Sequence, residues 1–264
     1  MTLSTPPNPL AKVRPFLLFG LCAVTIGTLQ VSQVRSLEQT QTTQAYEQQV
    51  QQERLRLQLL GQMPSFGFDN LIADWTFLQY LQYFGDDEAR AETGYELALE
   101  YLDIVIDRDP RFLGAYDFLA TAGSIFTAQP QKTDKIIDRG LQFVTPRVPE
   151  RSYYIWRQKA INELLFLENA QAEAQRSFQK AAEWASLYED EESQIVAEFS
   201  RQTAKFLENN PESNVAKVGA WALVLQNTSD KRAQTRAIEA IQNLGGSVQV
   251  TENGQFLVLP PAQD

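Results

Sequence analysis

The feature that most constrains the fold is a repeat of apolar residues at an interval of 38 positions. Ala98, Leu102 and Val105 have the spacing A-x3-L-x2-V, and similar triplets return at the same interval in Ile136, Gly140, Phe143 and Ala174, Phe178, Ala181. The aromatic residues Tyr80, Phe118 and Trp156 are separated by the same interval. Such a regular interval indicates one supersecondary unit repeated along the chain. Because such a unit cannot bury its apolar face alone, we expect the units to stack into an α-solenoid.

The charge of the chain is strongly acidic and unevenly distributed. The net charge is −10, and Lys12 and Arg14 are the only charged side chains before Arg35. Residues 35–264 therefore carry a net charge of −12. Binding to nucleic acid requires a basic surface that neutralises phosphates, so we expect no nucleic-acid partner.

The sequence offers no recognisable catalytic machinery. It has no histidine, its only cysteine is Cys22 in the apolar N-terminal segment, and it contains no G-x-S-x-G, P-loop, H-E-x-x-H or G-x-G-x-x-G motif. A hydrolase with two carboxylates distant in sequence is the remaining enzymatic alternative. The acidic run Glu189–Glu192 lacks the loop spacing of a calcium site and is typical of a solvated helix start. We therefore predict no enzyme, no cofactor and no bound metal.

An N-terminal segment has the length of a membrane span. Residues 15–34 form a charge-free run of 20 residues, enough as a helix to cross about 30 Å of hydrocarbon. We expect an uncleaved transmembrane helix, preceded by a disordered tail at residues 1–14. A cleaved signal peptide, with weak cleavage positions at Thr25 and Gly27, is the alternative. A lipoprotein anchor is disfavoured because Leu21, which is not small, precedes Cys22.

The charges flanking this segment predict its orientation. Lys12 and Arg14 favour a cytoplasmic N-terminus, although Arg35 on the other side weakens the bias. The acidic domain is then expected outside the cytoplasm, in a periplasm or a thylakoid lumen. Membrane contact is assigned to residues 15–34.

The rest of the chain divides into four predicted parts. Residues 35–62 are rich in glutamine and predict a helical stalk, and residues 63–208 contain the helical repeats. Residues 209–246 predict two further helices, and residues 247–264 predict a β-hairpin and tail. In the hairpin, Val248 and Val250 alternate with polar residues, and Asn253-Gly254 predicts a two-residue type I′ turn. An isolated hairpin is marginal in water, so it must dock on the last helix or pair with another chain.

Apolar periodicity, proline and glycine give the expected helix bounds. Within the repeats they predict helices at 69–85, 89–106, 112–126, 133–143, 152–167, 170–188 and 189–207. In the C-terminal part they predict helices at 215–225 and 231–244.

The triplet positions carry a family resemblance. The spacing A-x3-[FL]-x2-[AV] followed by proline, best matched by Ala98, Leu102, Val105 and Pro110, resembles the second helix of a tetratricopeptide repeat. The copy at Ala174 has Ser186 in place of the proline, the middle copy is degenerate, and the interval exceeds the usual ~34 residues. The resemblance covers residues 69–208. It implies an all-α, right-handed stack of helical hairpins whose first helices line a concave face that holds a partner.

A second resemblance concerns the general character of the sequence and not a defined motif. The segment from Asp69 to Asp86, together with the glutamine-rich stalk, is similar to bacterial membrane-anchored repeat proteins of cyanobacterial type. That resemblance implies a role in the assembly of photosystem or pigment–protein complexes.

Five residues are candidates for partner binding. Asp74 lies in an aromatic-rich helix, so its carboxylate is expected to need a buried partner or to anchor a peptide. The other four lie on first helices and are candidates for an exposed aromatic groove: Tyr80, Tyr116, Tyr153 and Trp156. Core packing is the alternative for each, since aromatic residues at helical spacing usually fill cores. If they are core residues, Glu189–Glu192 and the hairpin edge Val248–Val250 are the next candidates.

These patterns together favour a protein that binds other proteins at a membrane, as a scaffold or assembly factor. A stoichiometric structural subunit of a membrane complex is the alternative. The sequence does not identify the partner.

Overall fold

A computed structural model describes residues 43–228, 230–251 and 253–262 of the protein. The predicted tail at residues 1–14, the predicted membrane span at residues 15–34 and the first part of the predicted stalk lie outside these residues. No helix within the described ranges is long and apolar enough to cross a membrane. By compactness the chain divides at Gln51/Gln52, so the predicted boundary between stalk and repeats at residue 62 lies inside the second unit.

The described part of the chain is mainly helical and ends in one two-stranded sheet, which confirms the predicted all-α class with a C-terminal hairpin. Its elements are α1 (Thr43–Gln62), α2 (Asp69–Gly85), α3 (Asp87–Thr93), α4 (Ala98–Arg108), α5 (Leu113–Leu119), a π-helix (Ala120–Phe126), α6 (Pro130–Leu141), α7 (Tyr153–Phe166), α8 (Gln171–Ala185), α9 (Glu191–Asn209), α10 (Asn214–Asn227), α11 (Lys231–Asn243), β1 (Ser247–Val250) and β2 (Phe256–Leu259).

Side-chain caps account for four of the helix starts. The side chains of Asp86, Asp190, Ser213 and Asp230 each accept a hydrogen bond from a backbone N–H of the first turn that follows. These caps satisfy amides that have no partner inside the helix. The helix predicted to open with the acidic run at residue 189 begins within that run, because Asp190 caps α9 and Glu191 is its first residue.

Two predicted helices are interrupted. The helix expected at 89–106 is broken into α3 and α4 at Gly94, whose φ of 65° only glycine adopts without strain. The helix expected at 112–126 changes to π-helical hydrogen bonding at Ala120. Gly123 lies inside this π-helix, where an added Cβ would overlap the Thr133 hydroxyl of α6. A close approach between neighbouring helices therefore explains this glycine.

The repeat positions lie where neighbouring helices pack. Ala98, Leu102 and Val105 are fully buried on α4, which packs on α2. Ala174 and Ala181 are fully buried on α8, which packs on both α7 and α9. The degenerate middle copy departs from this pattern, since Phe143 is exposed.

The second half of α1 belongs to the packed body. Leu57 is buried, Arg54 forms ion pairs with Glu96 and Glu100, and the hydroxyl of Tyr101 donates to Glu53. The predicted stalk is therefore part of the domain from its middle onwards.

The C-terminal helices cover the middle of the protein. Trp221 and Leu225 of α10 and Ile241 of α11 share one apolar core with Ile125 of the π-helix and Ile161 of α7. The Arg236 guanidinium of α11 donates to the Ile125 carbonyl at 3.0 Å. At the π-helix and α7, the surface that was expected to be an open binding face is thus covered by the chain itself, because α10 and the apolar side of α11 are buried against it.

The hairpin docks as expected, but its turn differs from the prediction. Val248, Phe256 and Val258 pack against the same apolar core. Val250 pairs with Phe256, so a longer loop starting at Thr251 and ending at Gln255 joins the strands. The two-residue type I′ turn at Asn253-Gly254 is therefore wrong. Hydrogen bonds from the Thr251 N–H to the Gln255 carbonyl and from the Gly254 N–H to the Thr251 carbonyl close this loop instead.

Candidate protein-binding groove

Three of the predicted groove aromatics lie in the core. Tyr80, Tyr116 and Tyr153 are each 0% exposed. The Tyr116 hydroxyl donates to the Pro110 carbonyl at 2.7 Å, and the Tyr153 hydroxyl lies 2.9 Å from Ser193 Oγ. Tyr80 lies within a cluster of aromatic rings that includes those of Phe77, Phe84, Tyr101 and Phe118. These three are therefore core residues, the alternative that the sequence left open, and they are not exposed groove residues, because neighbouring helices surround them.

Trp156 is half-buried rather than exposed. Its ring meets that of Trp184 edge to face, with centroids 5.8 Å apart. Its indole N–H is buried and has no hydrogen-bond partner among the described residues. Trp156 therefore helps join α7 to α8.

Asp74 lies on the outer surface of α2. Its side chain is exposed, so the expectation of a buried, partnered carboxylate is wrong. Three large apolar side chains of α2, those of Leu71, Trp75 and Leu78, are also more than half exposed. The structure does not bring the five predicted residues together into one site.

The structure instead contains a groove between α9, α10 and β2, with a volume of about 690 Å³. Helix α9 packs extensively on α8 but only slightly on α10, and this divergence opens the groove. Ile195 and Phe199 of α9 form one wall, and Gly219 and Leu223 of α10 contribute to the other. Phe256, Leu257 and Val258 of β2 also line it, and the buried ring of Phe178 lies beneath.

Helix α9 has two apolar sides. Val196, Ala197, Ala204 and Leu207 are buried and face the core. Ile195 and Phe199, by contrast, are 48% and 60% exposed, although both side chains are large and apolar. The core of the described protein therefore does not use this second side. An exposed apolar patch of this kind indicates an interaction site.

A partly buried cation lines the groove. Arg157 of α7 lines it, and burial lowers the pKa of this guanidinium because loss of water disfavours the charged form. Its nearest ring is that of Tyr154, 5.9 Å from the guanidinium carbon to the centroid. No described carboxylate forms an ion pair with Arg157. The groove therefore contains a guanidinium without an ion-pair partner among the described residues, although Glu191 and Glu192 also line the groove.

The carboxylates at the rim do not neutralise this cation. Glu192 lines the groove, but it accepts hydrogen bonds from Arg151 and from the Tyr154 hydroxyl, the latter at 2.7 Å. Those two bonds lower the pKa of Glu192. Ser200 adds a second unsatisfied group, since its Oγ is buried and has no hydrogen-bond partner among the described residues.

The groove contains no arrangement typical of covalent catalysis. Its lining has one buried serine hydroxyl, no cysteine and no histidine. Across the described ranges, no group of three or more side chains is arranged to hold a metal ion. Apolar walls with one partly buried cation, and with Glu191 and Glu192 at the rim, are suited to holding a segment of another molecule.

Sequence reasoning missed most of this site but came close to its edges. Glu189–Glu192, named as a secondary candidate, leads into the rim of the groove, and the hairpin supplies β2, the strand paired with the other candidate, Val248–Val250. The available signal was the second apolar side of α9, where Ile195, Phe199 and Phe206 repeat at helical spacing among polar residues.

Comparison of the chain with protein-family models, with characterised proteins and with solved structures finds no match.

Proposed function

We propose that this protein is a membrane-anchored scaffold or assembly factor that binds partner proteins through the groove between α9, α10 and β2. The observation that carries the proposal is the exposure of Ile195 and Phe199 on a helix that has already buried another apolar side. Burying those side chains against a partner removes apolar surface from water, the main favourable term in most protein association. Its helical hairpins are proposed to form a stack of the tetratricopeptide type.

The partner is proposed to be a protein. The groove is open along one side, so it admits a segment of a larger molecule. A net charge of −12 over residues 35–264 disfavours nucleic acid. Membrane-complex subunits, including those of photosynthetic complexes, are the proposed class of partner, which rests on the resemblances noted in the sequence.

The proposed location is a membrane, with residues 15–34 as the anchor and the helical domain outside the cytoplasm. A reporter fused after residue 60 is expected to be active outside the cytoplasm. A reporter that is active only in the cytoplasm would reject this orientation.

Site-specific photo-crosslinking tests the binding function. A photoreactive amino acid replaces Phe199 in the full chain in its native membrane, and a matched variant carries it at Lys180, an exposed position on α8 outside the groove. We expect a discrete protein adduct from position 199 and none from position 180. Addition of Leu223→Ser to the first variant should weaken the adduct, because it removes apolar surface from the opposite wall. Equal adducts from both positions, or none from position 199, would reject the groove as the binding site.

The same adduct separates the scaffold from its alternative. If the protein is an assembly factor, its crosslinked partners should be proteins that are not part of the finished complex, or subunits of a finished complex that no longer contains this chain. A structural subunit should migrate with its adduct partner in one stoichiometric complex on a native gel.

A further inference from the structure

The strand β2 lines the groove in an unusual way. Phe256, Leu257 and Val258 are consecutive, and all three border the same space. Side chains alternate between the two faces of a strand, so one face alone cannot supply three consecutive lining residues. This pattern is expected if the edge of β2 away from β1, and not only one face of the strand, borders the groove.

This edge has no strand partner in the described chain. The strand β2 pairs with β1 on one side, with Val248 opposite Val258 and Val250 opposite Phe256. The sheet contains only these two strands among the described residues. Such an edge presents unpaired N–H and C=O groups that can accept a further strand.

The groove beside this edge combines apolar walls with a cation. The opposite wall is the exposed side of α9, with Ile195 and Phe199, and the Arg157 guanidinium lies within. Arg157 has no ion pair among the described residues, whereas the nearby Arg151 is paired with Asp190 and Glu192. A carboxylate that enters the groove would meet a partly buried guanidinium that has no described carboxylate partner, and charge-assisted hydrogen bonds are stronger than neutral ones.

We propose that the groove holds an extended, apolar peptide segment of a partner protein, which adds to β2 as a third strand and places a carboxylate on Arg157. This inference rests on the proposed binding function and specifies the chemistry of the partner. Backbone hydrogen bonds to β2 supply affinity, and the pockets beside Phe199 and Arg157 supply selectivity. The carboxylate belongs to an aspartate or glutamate side chain or to the C-terminus of the partner.

Short fluorescent peptides test this chemistry on the full chain held in lipid nanodiscs. The reference peptide alternates valine and threonine, has asparagine at its centre and ends in an amide. One test peptide has aspartate at the centre, and another keeps asparagine but ends in a free carboxylate. Fluorescence anisotropy measures each affinity.

We expect at least one carboxylate peptide to bind about tenfold or more tightly than the reference, as a charge-assisted hydrogen bond would give. The test peptide whose affinity rises identifies the source of the carboxylate. The preference should disappear in Arg157→Gln and persist in Arg176→Gln, a control on the exposed side of α8. Equal binding of all three peptides, or a preference that survives Arg157→Gln, would overturn the role of Arg157.

Further variants and peptides keep the result interpretable. The melting temperature of Arg157→Gln should equal or exceed that of the original protein, since no ion pair is lost, and Arg157→Lys should retain part of the preference. A peptide with proline at alternate positions lacks the N–H groups needed for strand addition and should not bind. If a helix-forming peptide of alanine, leucine and glutamate binds instead, strand addition is rejected. A Phe199 crosslink that persists in membranes would still support the binding function in that case.

Discussion

Gly140 is a position where the addition of a single methyl group should strongly lower the stability of the protein. Gly140 is buried on α6, and an added Cβ would overlap Tyr116 Oη and approach Tyr116 Cζ to 2.8 Å and Ile106 Cγ2 to 3.1 Å. Tyr116 cannot yield easily, because it is fully buried and its hydroxyl donates to the Pro110 carbonyl.

The energy of Gly140→Ala follows from three terms. Overpacking costs about 1–3 kcal/mol, and displacement of the buried hydroxyl costs about 1–3 kcal/mol more. The higher helix propensity of alanine offsets at most about 1 kcal/mol of this loss. We therefore expect a loss of about 1–6 kcal/mol in the free energy of unfolding.

Urea denaturation followed by circular dichroism measures this loss, and Gly219→Ala is the matched control. Gly219 also lies within a helix, but nothing lies within 4 Å of its added Cβ, so alanine should stabilise the protein by up to about 1 kcal/mol. Combining Gly140→Ala with Tyr116→Phe should cost less than the sum of the two single changes, because the overlapping oxygen is gone. If Gly140→Ala is as stable as Gly219→Ala, the close approach of α6 to Tyr116 is refuted.

Three further changes test the packing and electrostatics of the fold. Ala174→Leu places a larger side chain at a fully buried helix contact and should lower stability by about 1–3 kcal/mol in urea; an unchanged midpoint would contradict close packing there. Lys159→Met removes the cation that pairs with Asp134, Asp138 and the buried Glu163 and should cost about 3–5 kcal/mol; full stability would show that the cluster is dispensable. Asp190→Asn tests pH dependence: the Ser193 N–H and hydroxyl lower the pKa of Asp190, so its contribution is present above pH 3.8 and is lost as the pH falls through the lower folded value. Melting temperatures from ~pH 6 to ~pH 2 should therefore fall less steeply for the asparagine variant, and parallel curves would exclude a role for the cap.

Local sequence signals predicted the elements whose ends depend on nearby residues. The helix expected at 152–167 is α7 (Tyr153–Phe166), and that expected at 231–244 is α11 (Lys231–Asn243). Prediction failed where tertiary contacts decide the conformation. The π-helix that begins at Ala120 packs beside α6 and α7, and no local sequence motif predicted it.

The candidate site was harder to predict because it depends on which side chains lack packing neighbours or ion-pair partners in the folded protein. The sequence identified aromatic residues at repeat spacing, but only the packed structure shows that Tyr153 is enclosed while Phe199 is open. Likewise, Arg157 and Arg151 are six residues apart, and the sequence does not show that only Arg151 has carboxylate partners. Gly140 was classed as a degenerate repeat position, although it is among the most tightly enclosed glycines of the described chain.

The covering of the middle helices by α10 and α11 has a consequence for how the chain folds. In an open array of repeats each unit contacts only its neighbours, so terminal units can be lost while the rest stays folded. Here the contact between Arg236 and Ile125 spans 111 positions, and removal of the last helices would uncover Ile125 and Ile161. The middle of the chain thus stays incomplete until the C-terminal helices have been synthesised, and the domain should unfold in one cooperative step rather than unit by unit.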